Sequence, residues 1–205
     1  MMRLIGMLDS PYVRRVAISL KMLDLPFSHE SVSVFSTFVA FAEINPVVKA
    51  PTLVTEQGVV LMDSNLILEY AARIAAPELG LSPAKIEHFT HAQRIIGLAL
   101  AACEKSIQIV YEHSLRPSEK RHQPWLDRVH GQLAEALRLL EAEIDQESSW
   151  IFGDRPLQAD ITSAVAFRFT SEMLPDVIAA GDYRALAALS QRAEATEAFL
   201  AFPFS

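Results

Sequence analysis

The chain has 205 residues, which allows one large or two small domains, and its 51% hydrophobic content is ample for a packed core. A net charge of −7 with scattered Lys and Arg residues argues against nucleic acid or an anionic membrane as the main partner, because both need clustered positive charge. The longest uncharged apolar stretch, residues 95–103, is far too short to cross a bilayer, and we expect a cytoplasmic protein.

The first predicted elements are a strand over residues 1–7 and a helix over about residues 10–24. Ser10 is a preferred helix N-cap, and Pro11 suits the first helical position. Residues at steps of three and four predict a buried face, formed by Val13, Val16, Ala17, Leu20 and Leu23. The charged residues are expected to point largely away from it: Arg14, Arg15, Lys21 and Asp24. Ser10 alone is most simply a cap, although a helix start also favours an anion such as a thiolate.

Strand and helix signals continue to about residue 76. Residues 26–34 predict a second strand, and residues 35–44 a short irregular helix that ends at the turn Asn45-Pro46. Two β-branched runs, 52–55 and 59–62, predict an antiparallel hairpin, and a helix capped by Asp63, Ser64 and Asn65 follows it.

Beyond residue 84 only the helical period remains, with helices expected at about residues 84–115, 119–146, 157–173 and 182–200. This change predicts two domains, 1–77 and 84–205, joined by a linker at 78–83. Cys103, the single cysteine, excludes a disulfide or CxxC pair within the chain and favours a buried, inert thiol. His88 and His91 could pair as metal ligands, but without a third ligand nearby a solvated helix face is favoured, and we expect no metal.

Pro51 stands at the entrance of a predicted strand, where its missing N–H is tolerable. By itself the sequence favours a trans bond after Ala50, because cis bonds before proline are rare. A cis bond would turn the backbone of Ala50 outward, where its N–H and C=O could pair with an extended peptide-like ligand.

Three motifs resemble those of the cytosolic glutathione S-transferases, in order and at the family's spacing: Ser10-Pro11-Tyr12-Val13-Arg14-Arg15-Val16, Asn45-Pro46-Val47-Val48-Lys49-Ala50-Pro51 and Asp63-Ser64. Gly153-Asp154-Arg155-Pro156 and Ala159-Asp160-Ile161 extend the resemblance into the helical half. It covers nearly the whole chain and is closest in kind to the bacterial, serine-type (theta- or zeta-like) members. It implies an α/β thioredoxin-like domain, with a mixed four-stranded sheet and helices, followed by an all-helical domain.

The resemblance also implies roles for site residues. Ser10 matches the catalytic, thiol-activating residue, with Tyr12 as a possible rival. Pro51 matches a cis-proline, Ala50 stands where Val is usual and would pair its backbone with the cysteinyl part of glutathione, and Lys49 would meet the glycine carboxylate. Asp63, where Glu is more frequent, would bind the α-amino group, and Ser64 the α-carboxylate.

Other matches are weaker or depart from the family. Tyr111 and the aromatic residues within 199–204 are weak candidates for the second-substrate pocket, and Tyr12 is another. Leu157 stands where the family commonly has a Thr or Ser helix cap, so Asp154 or Asp160 would have to satisfy the backbone there; we interpret Asp160 as structural.

These expectations describe a glutathione transferase that conjugates a small hydrophobic electrophile, a detoxification reaction, with glutathione as co-substrate. Homodimerisation is implied by the resemblance alone. Two alternatives keep the fold: a non-catalytic binding or regulatory protein, and a glutathione-dependent isomerase of the maleylacetoacetate type, although that family's SSC motif is absent. A serine hydrolase using Ser10 ranks last, because the chain lacks a GxSxG elbow.

Overall fold

The computed structural model describes residues 1–145, 148–178 and 181–205. The elements of the first part are β1 (Met2–Ile5), α1 (Pro11–Met22), β2 (Phe27–Glu30), α2 (Phe38–Ile44), β3 (Thr52–Val54), β4 (Val60–Met62) and α3 (Ser64–Ile74). Five helices follow: α4 (Ile86–Ser114), α5 (Gln123–Ala142), α6 (Gln158–Met173), α7 (Arg184–Glu194) and α8 (Glu197–Leu200). The predicted helix end at Gln146 lies outside the described residues.

The four strands form one mixed sheet in the order β2-β1-β3-β4. β1 runs parallel to β2 and antiparallel to β3, and β3 and β4 form the predicted antiparallel hairpin. Leu4 lies opposite His29 on one side and Leu53 on the other, and both leucines are fully buried. This mixed sheet with its helices confirms the predicted thioredoxin-like fold.

Helix α1 begins where the sequence predicts, with Ser10 as its N-cap. Its predicted apolar face is buried. Arg14 and Arg15 are buried as well, with only 1% and 2% of their surface exposed, so the expectation that they point outward was wrong. The reason is long-range: Arg14 Nε donates to the carbonyl of Phe202 at 2.9 Å, and Arg15 Nη1 donates to Ser64 Oγ at 3.0 Å.

The chain forms two compact units, one made of Met1–Leu81 with Ala195–Ser205 and the other of Ser82–Glu194. The division falls within the predicted linker, but the C-terminal segment Ala195–Ser205 belongs to the first unit and not to the helical one. Contacts with α1 and β2 explain this difference. Lys21 forms an ion pair with Glu197 at 3.0 Å, and the ring of Phe202 stacks on Phe27 at 5.5 Å.

The single helix predicted over residues 182–200 is also wrong. Helix α7 ends at Glu194, and α8 begins at Glu197. Between them Thr196 is extended, with φ −80° and ψ 153°, which interrupts the helical hydrogen bonding.

In the second unit α4 packs against α5 and α6, and α6 packs against α7. Cys103 lies in this core with 1% of its surface exposed, as expected. Asp160, fully buried, accepts from Ile151 N and Leu157 N, both at 2.9 Å, so it satisfies the backbone where the family's capping hydroxyl is absent. Among the described helices, none is long and apolar enough to cross a membrane.

Candidate active site

Ser10 lies in the turn between β1 and α1, half-buried at the N-terminus of the helix. Its Oγ accepts from Val13 N at 3.5 Å, which is a long capping bond. A hydroxyl that accepts in this way keeps its own proton to donate. Partial burial raises the pKa of the adjacent Asp9 carboxyl, and a hydrogen bond from the backbone of Ser10 opposes that rise. The turn thus places one hydroxyl donor at the positive end of a helix dipole.

Gly6, at the end of β1, brings this turn next to the proline loop. Its φ is +140°, and a Cβ added there would lie 2.5 Å from Val13 Cγ2 and 3.2 Å from Ala50 Cβ. Only a residue without a side chain allows the strand end, the first turn of α1 and Ala50 to approach this closely. The sequence analysis did not single out Gly6, although a glycine directly after a buried strand is a signal of such an approach.

The peptide bond between Ala50 and Pro51 is cis, as the resemblance implies and contrary to what the sequence alone favours. Asn45, 1% exposed, organises the loop that leads into it. Its Nδ2 donates to Thr52 Oγ1 at 2.8 Å, and Thr52 Oγ1 donates to the carbonyl of Lys49 at 2.7 Å. These bonds fix the backbone on both sides of Ala50.

The third motif forms the start of α3. Asp63 is its N-cap, with Oδ1 accepting from Asn65 N at 2.9 Å and a strained backbone at φ +73°. Its Oδ2 lies 3.8 Å from Lys49 Nζ, and both side chains are about half exposed, at 43% and 52%. Ser64, the first residue of the helix, is buried, and Arg15 Nη1 donates to its Oγ at 3.0 Å.

The structure therefore joins the three predicted motifs in pairs. Gly6 brings α1 against Ala50, the pair of Lys49 and Asp63 connects the proline loop to α3, and Arg15 connects α1 to α3. All of this lies in the first unit. The sequence analysis placed Ser10, Lys49, Ala50, Pro51, Asp63 and Ser64 in one site, and it missed Gly6 and Arg15.

The weaker candidates, those for the second-substrate pocket, lie in different parts of the chain and differ in exposure. Tyr12 is half-buried on the first turn of α1. Tyr111 lies in the second unit, 43% exposed, and lines a cleft of about 520 Å³ there with Leu115 and Trp125. In the aromatic C-terminus, Phe199 is 1% exposed beneath Arg14, whereas Phe202 and Phe204 are partly exposed.

Both histidines of the pair on α4 contact other side chains of the protein. His91 Nε2 is hydrogen-bonded to Glu143 Oε2 at 2.5 Å, and Arg94 Nε donates to Glu143 Oε1 at 2.7 Å. The ring of His88 packs 5.8 Å from that of Phe152. Within the described ranges, no group of three or more His, Cys, Asp or Glu residues could hold a metal ion.

Comparison with known proteins gives the family. The model for the glutathione S-transferase N-terminal domain matches residues 4–79, and the model for the C-terminal domain matches residues 123–193. The uncharacterised GST-like protein YibF of Escherichia coli K12 is 28% identical over 140 residues, which are 68% of this chain and 68% of YibF.

Solved structures are similar to this chain over nearly its whole length. A glutathione S-transferase of Methylobacterium radiotolerans, in complex with glutathione sulfonate, is similar with a TM-score of 0.90 and 26% identity, covering 100% of this chain and 95% of that one. A glutathione transferase family member of Pseudomonas fluorescens Pf-5, with bound glutathione, has a TM-score of 0.83 and 28% identity, covering 98% of both chains. The chain belongs to the glutathione S-transferase family.

Proposed function

We propose that this protein is a glutathione transferase that binds glutathione in the first unit, ionises its thiol at Ser10 and adds the thiolate to a small apolar electrophile. The observation that carries the proposal is the pairwise contact among the β1–α1 turn, the loop before Pro51 and the start of α3. Structural neighbours with bound glutathione or glutathione sulfonate support the choice of ligand.

The charged groups suit the two ends of this tripeptide. The Asp63 carboxylate would accept from the α-amino group, and Ser64 at the start of α3 would donate to the α-carboxylate. Lys49 would meet the glycine carboxylate, while the backbone of Ala50 pairs with the cysteinyl part. Because Lys49 and Asp63 form an exposed pair at 3.8 Å, their mutual attraction stabilises the free protein by no more than about 1 kcal/mol, and a ligand separates them at little cost.

The chemistry needs ionisation and positioning. A free thiol with a pKa of about 8.5 is only a few per cent ionised at pH 7, and a site that lowers this pKa by about two units supplies roughly 2.7 kcal/mol. The Ser10 hydroxyl would donate to sulfur, while the N-terminus of α1 stabilises its charge. The thiol proton leaves to solvent, and the sulfur lone pair forms the S–C bond. In a substitution, the leaving group departs with the electrons of its broken bond. In an addition to an activated double bond, the π electrons shift away from the new S–C bond, and the resulting anion takes a proton from water.

The same proposal extends to the second substrate, the assembly and the compartment. Tyr12, on the first turn of α1, is the candidate contact for the electrophile in this unit.

Large apolar side chains are exposed on α3 (Leu66 and Ile74) and on α4 (Ile86 and Phe89), which suits association of two identical copies. We place the protein in the cytoplasm, where glutathione keeps thiols reduced.

Calorimetric titration tests the ligand assignment. We expect the parent protein to bind glutathione, and we expect Asp63→Ala to weaken that binding roughly tenfold or more through loss of a charge-assisted bond. Glutaryl-cysteinyl-glycine, which lacks the α-amino group, should bind parent and variant equally. Glu69→Ala removes another exposed carboxylate from α3 and is the matched control. A parent protein that gives no heat with glutathione would overturn the proposal.

A further inference from the structure

Two neighbouring arginines on α1 are buried but face different parts of the first unit. Arg15 Nη1 donates to Ser64 Oγ at 3.0 Å and to Asn65 Oδ1 at 2.9 Å. Arg14 contacts the C-terminal segment instead, with its guanidinium 5.5 Å from the centre of the Phe199 ring. The two side chains share chemistry and burial, and they differ in the groups that they orient.

We infer that Arg15 is a positioning residue for the α-carboxylate of glutathione, acting through the first turn of α3; this inference rests on the proposed function. Ser64 is the first helical residue and is 5% exposed. When Arg15 donates to the oxygen of Ser64, the single hydroxyl proton of that serine is directed away from the guanidinium. It is then available to donate to an anion at the helix start.

Arg15 also orders the side chain next to this hydroxyl. Asn65 Oδ1 accepts from Arg15, while the backbone N–H of Asn65 donates to Asp63 Oδ1 at 2.9 Å. One guanidinium thereby ties together the side chains of Ser64 and Asn65, whereas the N-cap carboxylate of Asp63 is held by the Asn65 backbone and not by Arg15. Of the two side chains that Arg15 contacts, Ser64 is the one that the proposed function assigns to the α-carboxylate of the tripeptide.

The positive charge of Arg15 also favours an anion at the start of α3. A guanidinium stays protonated at any physiological pH, and inside a protein its field is screened less than at the surface. The N-terminus of α3 already favours an anion through its dipole and its backbone N–H groups. A buried positive charge hydrogen-bonded to the first two helical side chains strengthens the same preference.

The test compares two ligands across matched variants by calorimetry. The ligands are glutathione and γ-aminobutyryl-cysteinyl-glycine, which lacks only the α-carboxylate. The variants are Arg15→Met, Arg15→Lys and the neighbouring control Arg14→Met, and the folding of each is checked by thermal unfolding. We expect Arg15→Met to weaken glutathione binding about tenfold to a hundredfold and to leave binding of the analogue within about twofold of the parent. Arg14→Met should keep the parent's preference for glutathione over the analogue.

Arg15→Lys is a second, more conservative variant that distinguishes a binding defect from a folding defect. It retains the charge but loses the two-partner geometry, so we expect a partial loss confined to glutathione, and it provides the test if Arg15→Met does not fold. Equal weakening of both ligands in the Arg15 variants, or unchanged binding of both, would overturn the inference while leaving the proposed function intact. Failure of the parent to bind glutathione would overturn the proposed function and the inference together.

Discussion

Replacing Ser10 by alanine should slow turnover while leaving glutathione bound. The structure limits the effect on folding: the capping bond to Val13 N is 3.5 Å long, so its loss should cost about 0.5 kcal/mol, at the low end for N-caps. The effect on the thiol is larger. If the site lowers the thiol pKa from about 8.5 by two units and the hydroxyl supplies all of that shift, the thiolate fraction at pH 7 falls from roughly three quarters to roughly 3% when the hydroxyl is lost. Because the N-terminus of α1 supplies part of the shift and remains in the variant, we expect kcat/KM to fall by up to about 25-fold at that pH.

The dependence of kcat/KM on pH, measured with a chloronitroarene as model electrophile, separates this effect from misfolding. Between pH 7 and about 8.5 the kcat/KM of the parent should be nearly flat, whereas that of Ser10→Ala should rise by up to about 16-fold over the same range. Ser10→Thr keeps a hydroxyl and should retain the parent profile. Tyr12→Phe tests the rival activator and should leave the profile unchanged. The reasoning is refuted if Ser10→Ala and the parent share one pH profile, or if Tyr12→Phe is the variant that shifts it.

Three further predictions concern stability, measured by urea unfolding. Gly6→Ala should destabilise by about 2–3 kcal/mol, because φ is +140° and the added Cβ would lie 2.5 Å from a methyl carbon of α1, whereas Gly97→Ala, with open space around it, should stabilise by up to about 1 kcal/mol. Equal effects of the two changes would contradict this. Asp160→Ala should cost about 3 kcal/mol through loss of two bonds to backbone N–H groups, and a cost below about 1 kcal/mol would remove its structural role. A hydrogen bond from Arg94, and to a smaller extent one from His91, lowers the pKa of the Glu143 carboxyl. The ionised carboxyl therefore contributes its full stabilisation above the ordinary pKa of a glutamate, and this contribution is lost as the pH falls through the lowered value. Glu143→Gln should therefore cost up to about 1 kcal/mol at neutral pH and nothing in acid; a penalty that persists in acid would contradict this explanation.

Local sequence patterns predicted the elements from β1 to α3 because each one is short and bounded by a strong local signal. Ser10 with Pro11 marked the start of α1, and a three-residue turn marked the hairpin of β3 and β4. The break between α7 and α8 has no such signal: Thr196 and its neighbours continue an apolar helical pattern, and the interruption is accompanied by a change of unit. A local pattern carries no information about which unit a helix will join.

The buried arginines show a second limit. Charged residues in a helical pattern are normally assigned to the solvent face, and for Lys21 this is correct. The partners of Arg14 and Arg15 lie 188 and 49 residues away along the chain, so neither burial could be inferred from α1 alone. The resemblance supplied the residues that would touch the ligand, but not Gly6 and Arg15, which bring those residues together.

The ribosome synthesises a chain from its N-terminus, and this order determines when each of the two units is complete. The helical unit is one continuous stretch, Ser82–Glu194, and all of it has emerged before the segment that completes the other unit. Until residues 195–205 have emerged, the nascent sheet and α1 lack the rings and the carbonyl that cover Arg14 and Phe27. The unit whose synthesis begins first is thus completed after the helical one, and a premature stop codon before residue 195 would remove the partners of Arg14 and Phe27.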